Sequence, residues 1–118
     1  MGIDKYHPDV DISKLDIYLL LALGDGPSHG YAVMQAIRER SAGALRISTG
    51  SFYRRLSAAI TAGLVEETSG PKVDDPRRGA YYRLTPAGRR VLVEERDRLA
   101  ALVAAVDGLR PASRRGRA

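Results

Sequence analysis

Cysteine and tryptophan are absent from this chain, and phenylalanine occurs once. Without cysteine there is neither a disulfide framework nor a thiolate-held zinc site. Two histidines, His7 and His29, are too few for an all-protein zinc site, so neither a metal nor a cofactor is expected. The longest apolar run, Ile17 to Leu23, falls far short of a membrane span. Met1 to His7 lack the basic-then-apolar order of a secretory leader. A cytoplasmic protein with no membrane partner is the expectation. No nucleophile–base set, phosphate-cradling glycine loop or metal-spaced cluster stands out, which argues against an enzyme. Asp74 and Asp75 with Asp25 or Glu66 do not match a calcium loop. His29 lacks the positioned partner that acid–base chemistry needs, so it reads as structural.

What remains is an aliphatic, basic chain. Its 118 residues, 44% hydrophobic, suffice for one domain with a modest core. Aromatic residues make up only 6%, so that core must be built mainly from Leu, Ala, Val and Ile. The net charge is +5 and the isoelectric point about 9.9. The charge is unevenly placed: Lys72, Arg77, Arg78, Arg83, Arg89 and Arg90 face only Asp74 and Asp75 between Pro71 and Arg90. The end of the chain adds Arg110, Arg114, Arg115 and Arg117 with no acid, whereas the first twelve residues carry Asp4, Asp9 and Asp11 against Lys5. Clustering of this kind points to a polyanionic partner.

Periodicity divides the chain. Residues 1–12 read as an N-terminal arm, with Pro8 opposing an early helix. Ser13, with Asp16 three residues on, opens a first helix over 13–23 whose apolar face is Leu15, Leu19, Leu20, Ala22 and Leu23. The turn Gly24-Asp25-Gly26-Pro27 ends it. Ser28 is positioned to cap a second helix over 29–41, with Tyr31, Val33, Met34 and Ile37 as its buried stripe and Gly43 at its end. Ser48 begins a third helix over 49–62, where Phe52, Leu56, Ala59 and Ile60 recur at helical spacing and Gly63 is the stop. The period then shortens. Strands are expected over 64–68 and 81–84, joined by a long polar turn holding Lys72, Arg77 and Arg78. Tyr81 and Tyr82 must face opposite sides of their strand, one toward the core and the other exposed or interfacial. Thr85 and Pro86 open a fourth helix over 86–109, and residues 111–118 form a basic tail.

This order, mainly α with a small β-hairpin, is the layout of a winged helix-turn-helix over 13–85, followed by a dimerisation helix over 86–110. A helix fits the major groove of B-DNA, and the third helix is the reading candidate. Ser48, Thr49, Gly50 and Ser51 offer backbone amides and hydroxyls at its start. Arg54 and Arg55 are candidates for base edges or phosphates, which sequence does not separate. Tyr53 either packs on the second helix or reaches a phosphate, and Lys72, Arg77 and Arg78 are the wing candidates. The last helix carries more apolar surface than this body needs. Leu92, Leu99, Leu102, Val103, Val106 and Leu109 lie close to a heptad seam, broken once by Glu95. A homodimer is the simplest cover for that seam and would set two reading helices about 34 Å apart, matching successive major grooves, against the alternative that the last helix folds back on the first in a monomer. The competing reading, a protein-interaction module on a winged-helix body, does not account for the distributed positive charge.

Three segments resemble the PadR family of transcriptional regulators in its small form with a single C-terminal helix. Leu19-Leu20-Leu21-Ala22-Leu23-Gly24-Asp25-Gly26-Pro27-Ser28-His29-Gly30-Tyr31 is similar to the family's first helix, Gly-Pro turn and His-Gly-Tyr start of the second helix. Ser48-Thr49-Gly50-Ser51-Phe52-Tyr53, running through Leu56 to Ala62-Gly63-Leu64-Val65, resembles its recognition helix. Arg77-Arg78-Gly79-Ala80-Tyr81-Tyr82-Arg83-Leu84-Thr85-Pro86-Ala87-Gly88 resembles its wing exit. Thr49 stands where the family often has Pro, and Ser57 to Thr61 replace a Glu-rich helix end. The resemblance implies a homodimeric regulator of double-stranded DNA, usually a repressor, on a pseudo-palindromic operator. In some relatives a small-molecule effector binds between the first helix and the partner's last helix; Asp16, Tyr18 and Glu95 are the candidate polar handles for one here, against their reading as surface or seam packing. Lacking Trp, the chain has no tryptophan sandwich for a flat aromatic ligand.

Overall fold

The computed structural model describes residues 13–70 and 79–110. The N-terminal arm, the basic tail and the wing residues Lys72, Arg77 and Arg78 lie outside the described residues. Four helices and three short strands follow in the order α1 (Lys14–Ala22), β1 (Ser28–His29), α2 (Gly30–Arg40), α3 (Thr49–Thr61), β2 (Val65–Thr68), β3 (Tyr81–Leu84) and α4 (Pro86–Asp107).

Each helix begins where a side chain satisfies an otherwise unpaired first-turn amide. Ser13 and Asp16 form both halves of a capping box on α1, at 3.1 and 3.3 Å. The Ser48 hydroxyl accepts the Ser51 amide, and the Thr85 hydroxyl accepts the Gly88 amide ahead of Pro86. The second helix departs from expectation. Its cap is His29, whose Nδ1 accepts the Ala32 amide at 3.3 Å, not Ser28. Ser28 is taken up in β1, which pairs antiparallel with β3 through Ser28–Tyr82 and His29–Tyr81. A two-residue strand is too short to show alternation, so the sheet has three strands where a hairpin was expected, in the order β1-β3-β2.

Leu19, Leu20 and Leu23 of the first helix and its turn, Val33 and Ile37 of α2, Phe52, Leu56 and Ala59 of α3, and Leu64 and Val65 form one buried cluster. Fully burying each of the larger aliphatic side chains contributes roughly 1.5–3 kcal/mol. Two stripe assignments are corrected. Tyr31 is 67% exposed, because the inward position is Gly30, where a side chain would collide with the Tyr53 hydroxyl. Ile60 is 37% exposed, at the edge of a face centred on Phe52, Leu56 and Ala59. Helix α3 stops at Gly63, whose φ of +81° suits glycine. The Leu64 amide reaches back to the Ala59 carbonyl and the Gly63 amide to Ile60, closing the last turn.

Strands β2 and β3 pair antiparallel from Val65–Leu84 to Thr68–Tyr81. Tyr81 is the more buried of the tyrosine pair but lies on the Arg83 side of the sheet, edge-on to His29 at 5.5 Å, whereas Tyr82, on the Val65–Leu84 side, is half-buried and packs against the core. Arg83 lies opposite Glu66 and pairs with it at 2.5 Å on the exposed side of the sheet. Thr85 then ties the start of α4 to the end of α3, donating to the Gly63 carbonyl at 2.6 Å while its amide donates to Leu64. Gly88 sits so close to the Leu64 carbonyl and the Leu84 side chain that a β-carbon would overlap both.

The close approach at Gly88 yields a test. Alanine normally improves a helix by about 1 kcal/mol over glycine. At Gly88 the added methyl forces α4 away from the β2 entry, so Gly88→Ala should destabilise the fold by about 1–3 kcal/mol in urea denaturation. Unchanged or raised stability would contradict this packing.

Candidate nucleic-acid interface

Burial of Phe52, Leu56 and Ala59 determines what α3 shows to the outside. On a helix, positions three and four apart share a face. Gly50, Arg54, Ser57 and Thr61 form the opposite stripe, and all four are exposed. Ser48 and Thr49 are also exposed at the helix start, and Ser51 is half-buried on its flank. The Arg54 guanidinium donates to the Ser51 hydroxyl at 3.0 Å, which holds it along the helix and leaves further donors facing outward.

Tyr53 turns to the side. Its ring lies edge-on to Phe52 at 4.8 Å, its hydroxyl lies over Gly30 at the start of α2, and it is 40% exposed. The Tyr82 hydroxyl has its pKa raised, first by burial and then by the nearby negative charge of Glu67 and the Tyr53 hydroxyl. Tyr53 and Tyr82 therefore stand together between α3 and the sheet.

Arg55 is placed differently from Arg54. Its Nε donates to Asp16 Oδ1 at 2.9 Å and its Nη2 to Asp16 Oδ2 at 2.7 Å, a two-point ion pair between α3 and α1. Asp16 is only 4% exposed. The spacing of Arg54 and Arg55 in sequence gave no sign of this division, because the partner lies 39 positions away.

Three exposed residues were missed by the sequence reading. Ser57 and Thr61 follow Arg54 at helical spacing, a signal that was present in the sequence. Arg46, in the turn before α3, lines a hollow with Arg38, Gly43 and Ile47. Arg38, Arg46 and Arg54 form no ion pair among the described residues, whereas Arg40, Arg55, Arg83, Arg96 and Arg98 are each paired with a carboxylate. Three cations without a protein counter-charge, Arg38, Arg46 and Arg54, thus lie between the end of α2 and the first turns of α3; Lys14, Arg89, Arg90 and Arg110, elsewhere in the chain, are likewise without an ion pair among the described residues.

A second feature lies where α1 meets α4. Two adjoining hollows, of about 570 and 610 Å³, share Ile17, Leu21, Glu95 and Leu99 in their walls. Tyr18 lines the second, and Glu95 is buried and paired with Arg98. Asp16, grouped with these two by the sequence reading, lines neither hollow and is engaged with Arg55. Farther along α4 and just past its end, Leu99, Leu102, Val103, Val106 and Leu109 are 41–72% exposed. Leu92 is instead partly buried against the chain's own core. No group of three or more metal-ligating side chains occurs among the described residues, and no described helix is long and apolar enough to cross a membrane.

A buried-face helix behind an arginine-bearing outward stripe, flanked by a small antiparallel sheet, is the winged-helix DNA-binding fold. Solved structures share it. A winged-helix DNA-binding protein from STIV aligns at TM-score 0.60 and 18% identity, covering 79% of this chain and 96% of that one. A PadR family transcription regulator from hypervirulent Clostridium difficile aligns at TM-score 0.68 and 20% identity, over 80% and 96% of the two chains. A transcriptional regulator from Clostridium thermocellum gives TM-score 0.64 and 21% identity, over 81% and 92%. The family model described as "Transcriptional regulator PadR-like family" matches residues 19–94, and the chain belongs to that family. An uncharacterised 37.1 kDa protein in a transposon of Streptomyces fradiae is 37% identical over 84 residues, 71% of this chain; the match spans 22% of that curated relative.

Arg54→Ala should weaken duplex binding at low salt at least tenfold, with an unchanged helical circular-dichroism spectrum, the size expected when one well-placed arginine is removed from a groove. Full affinity in the variant would show that the outward stripe of α3 does not touch DNA.

Proposed function

We propose that this regulator works as a homodimer that represses transcription from a pseudo-palindromic operator and responds to a small-molecule effector. The single observation that carries the dimer is the exposed aliphatic stripe of α4, Leu99, Leu102, Val103, Val106 and Leu109. A contiguous apolar surface of this kind normally marks an interaction face. A second copy of α4 supplies a matching stripe at the same heptad-like spacing. Pairing by two-fold symmetry carries two α3 helices to one side of a duplex, about one helical turn apart. Leu92 contributes less to that seam than the residues after it, because its own domain already half-buries it.

In this reading Ser48, Thr49, Gly50, Ser51 and Tyr53 hold the backbone at the groove edge, and Arg54 reaches bases or phosphates. Lys72, Arg77 and Arg78 carry the wing onto neighbouring phosphates. The effector occupies the α1–α4 hollow, whose apolar walls and single buried carboxylate, Glu95, favour a largely apolar compound with one polar group. Tyr18 borders the same space.

Sedimentation at micromolar concentration should give twice the chain mass. Replacing Leu102 and Val106 with Glu should yield a monomer that keeps its helix content and binds the duplex at least tenfold more weakly. A wild-type monomer under those conditions would overturn the dimer. Replacing Lys72, Arg77 and Arg78 with Ala should flatten the logarithmic salt dependence of affinity by about 0.9 for each phosphate the wing no longer neutralises. An unchanged slope would place the wing off the DNA.

A further inference from the structure

We propose that the turn joining α2 to α3 is a phosphate-binding part of the DNA interface: Arg38 and Arg46 together hold one backbone phosphate at the edge of the groove that α3 enters. The proposal rests on the reading of α3 as the groove helix and adds to it a contact without sequence preference.

The turn is built so as to bring the two arginines together. Although separated in sequence by most of the turn, they line one hollow of about 390 Å³ with Gly43 and Ile47. The chain reverses through two successive left-handed residues, Ala42 at φ +54° and Gly43 at φ +81°. A left-handed alanine is uncommon and persists only where its surroundings hold it. Hydrogen bonds do so here. The Gly43 amide donates to the Arg38 carbonyl at 2.9 Å, and the Ala42 amide to the Glu39 carbonyl at 3.1 Å. The Ser41 hydroxyl donates to the same Arg38 carbonyl at 3.2 Å and accepts the Leu45 amide at 3.1 Å. The backbone carrying Arg46 is thus fixed relative to that carrying Arg38 without any ligand, which lowers the ordering cost of binding one.

Charge and place agree with this. Both side chains are exposed, and neither forms an ion pair among the described residues. Arg38 donates one N–H to Gln35 Oε1, which leaves further guanidinium donors for an anion. Ser41, Ala44 and Leu45 of the same turn line a different hollow, the one against α1 and α4, so the arginines are not turned into it. Arg46 stands two residues before Ser48, the cap of α3, so its Cα is within about 7 Å of the helix start. A helix with its side chains is about 10–12 Å across and fills a major groove about 12 Å wide. A reading helix enters that groove with its first turns. Residues immediately before it are then left at the groove wall, where the phosphates stand. Paired guanidinium groups suit a phosphate in charge and geometry. Because phosphates are alike in every sequence, the contact supplies affinity and register, not discrimination.

The test uses the full chain and two duplexes, one recovered by repeated selection from a random pool and one shuffled version of equal length and composition, across a salt series. Arg38→Gln with Arg46→Gln should keep the native circular-dichroism spectrum, since both side chains are exposed. Its logarithmic salt slope should be flatter by about 0.9 per protomer on both duplexes, with the ratio of selected to shuffled affinity at the native value. Each single variant should weaken binding to both duplexes. Phosphate ethylation interference on the selected duplex locates the contact: the native chain should show an interfering phosphate beside each α3 segment that no longer interferes in the double variant and still does in Arg54→Ala. Unchanged slopes, or identical ethylation patterns in the native chain and the double variant, would overturn the proposal. A single variant without effect would break the pair, and a fall in the ratio would make these arginines base readers; either result contradicts it. Shifts of the Gly43 and Ile47 amides on adding inorganic phosphate without DNA, beside an unchanged ethylation pattern, would give the hollow to a free anion instead. Arg54→Ala separates the two failures. Full affinity in that variant removes the reading of α3, whereas weak binding there beside an unaffected double variant removes this site alone.

Discussion

The burial of one face of α3 is the constraint on which the rest of the molecule depends. Phe52, Leu56 and Ala59 are at most 2% exposed, seated against Leu19, Leu20, Leu23, Val33 and Ile37. Rotating α3 by one residue would bring Arg55 or Tyr53 toward that aliphatic cluster, and burying a charge without a close partner costs several kcal/mol. The core therefore fixes which residues face outward. Gly50, Arg54, Ser57 and Thr61 are on the surface because their opposites cannot leave the interior. Function in this fold is the reverse side of packing.

The remaining elements hold that helix at both ends. At its start, Ser48 caps it and the Tyr53 ring lies over Gly30. At its end, Gly63 turns the chain directly into β2, and Thr85 bridges back to the Gly63 carbonyl. Helix α4 leaves from the same junction, with Gly88 against Leu64. The long helix and the arginine-bearing helix thus meet at one junction, through Gly88 against Leu64 and Thr85 against Gly63. Asp16–Arg55 adds a second link, from α1. Ile17 and Tyr18, the residues after Asp16, line the hollows against α4. The hollows against α4 and the arginine-bearing helix α3 are thus linked through α1.

Much of this was legible in the sequence, and the misses have physical reasons. Helix limits were readable within two residues, because Ser13, Ser48, Thr85-Pro86 and Gly63 carry capping and stopping chemistry in their own side chains or lack of one. Strand β1 was not readable, since two residues show no period and their pairing partner lies more than fifty positions away. The loss of Ser28 to that strand moved the cap to His29. Tyr31 was misassigned to the buried stripe because the inward position is a glycine that accommodates a tyrosine from α3, which hydropathy does not register. At the candidate interface, Ser57 and Thr61 were legible from helical spacing alone. The separate fates of Arg54 and Arg55 were not, because a long-range ion pair leaves no local trace.

The central claim is that two α3 helices enter successive major grooves on one side of a duplex. Guanine N7 lies in the major groove, so methylation interference on a selected duplex tests the claim directly. The account predicts two interfering segments whose centres lie about 10 base pairs apart, related by a local two-fold axis. Binding that is indifferent to N7 methylation throughout, or interference confined to a single segment, would contradict it.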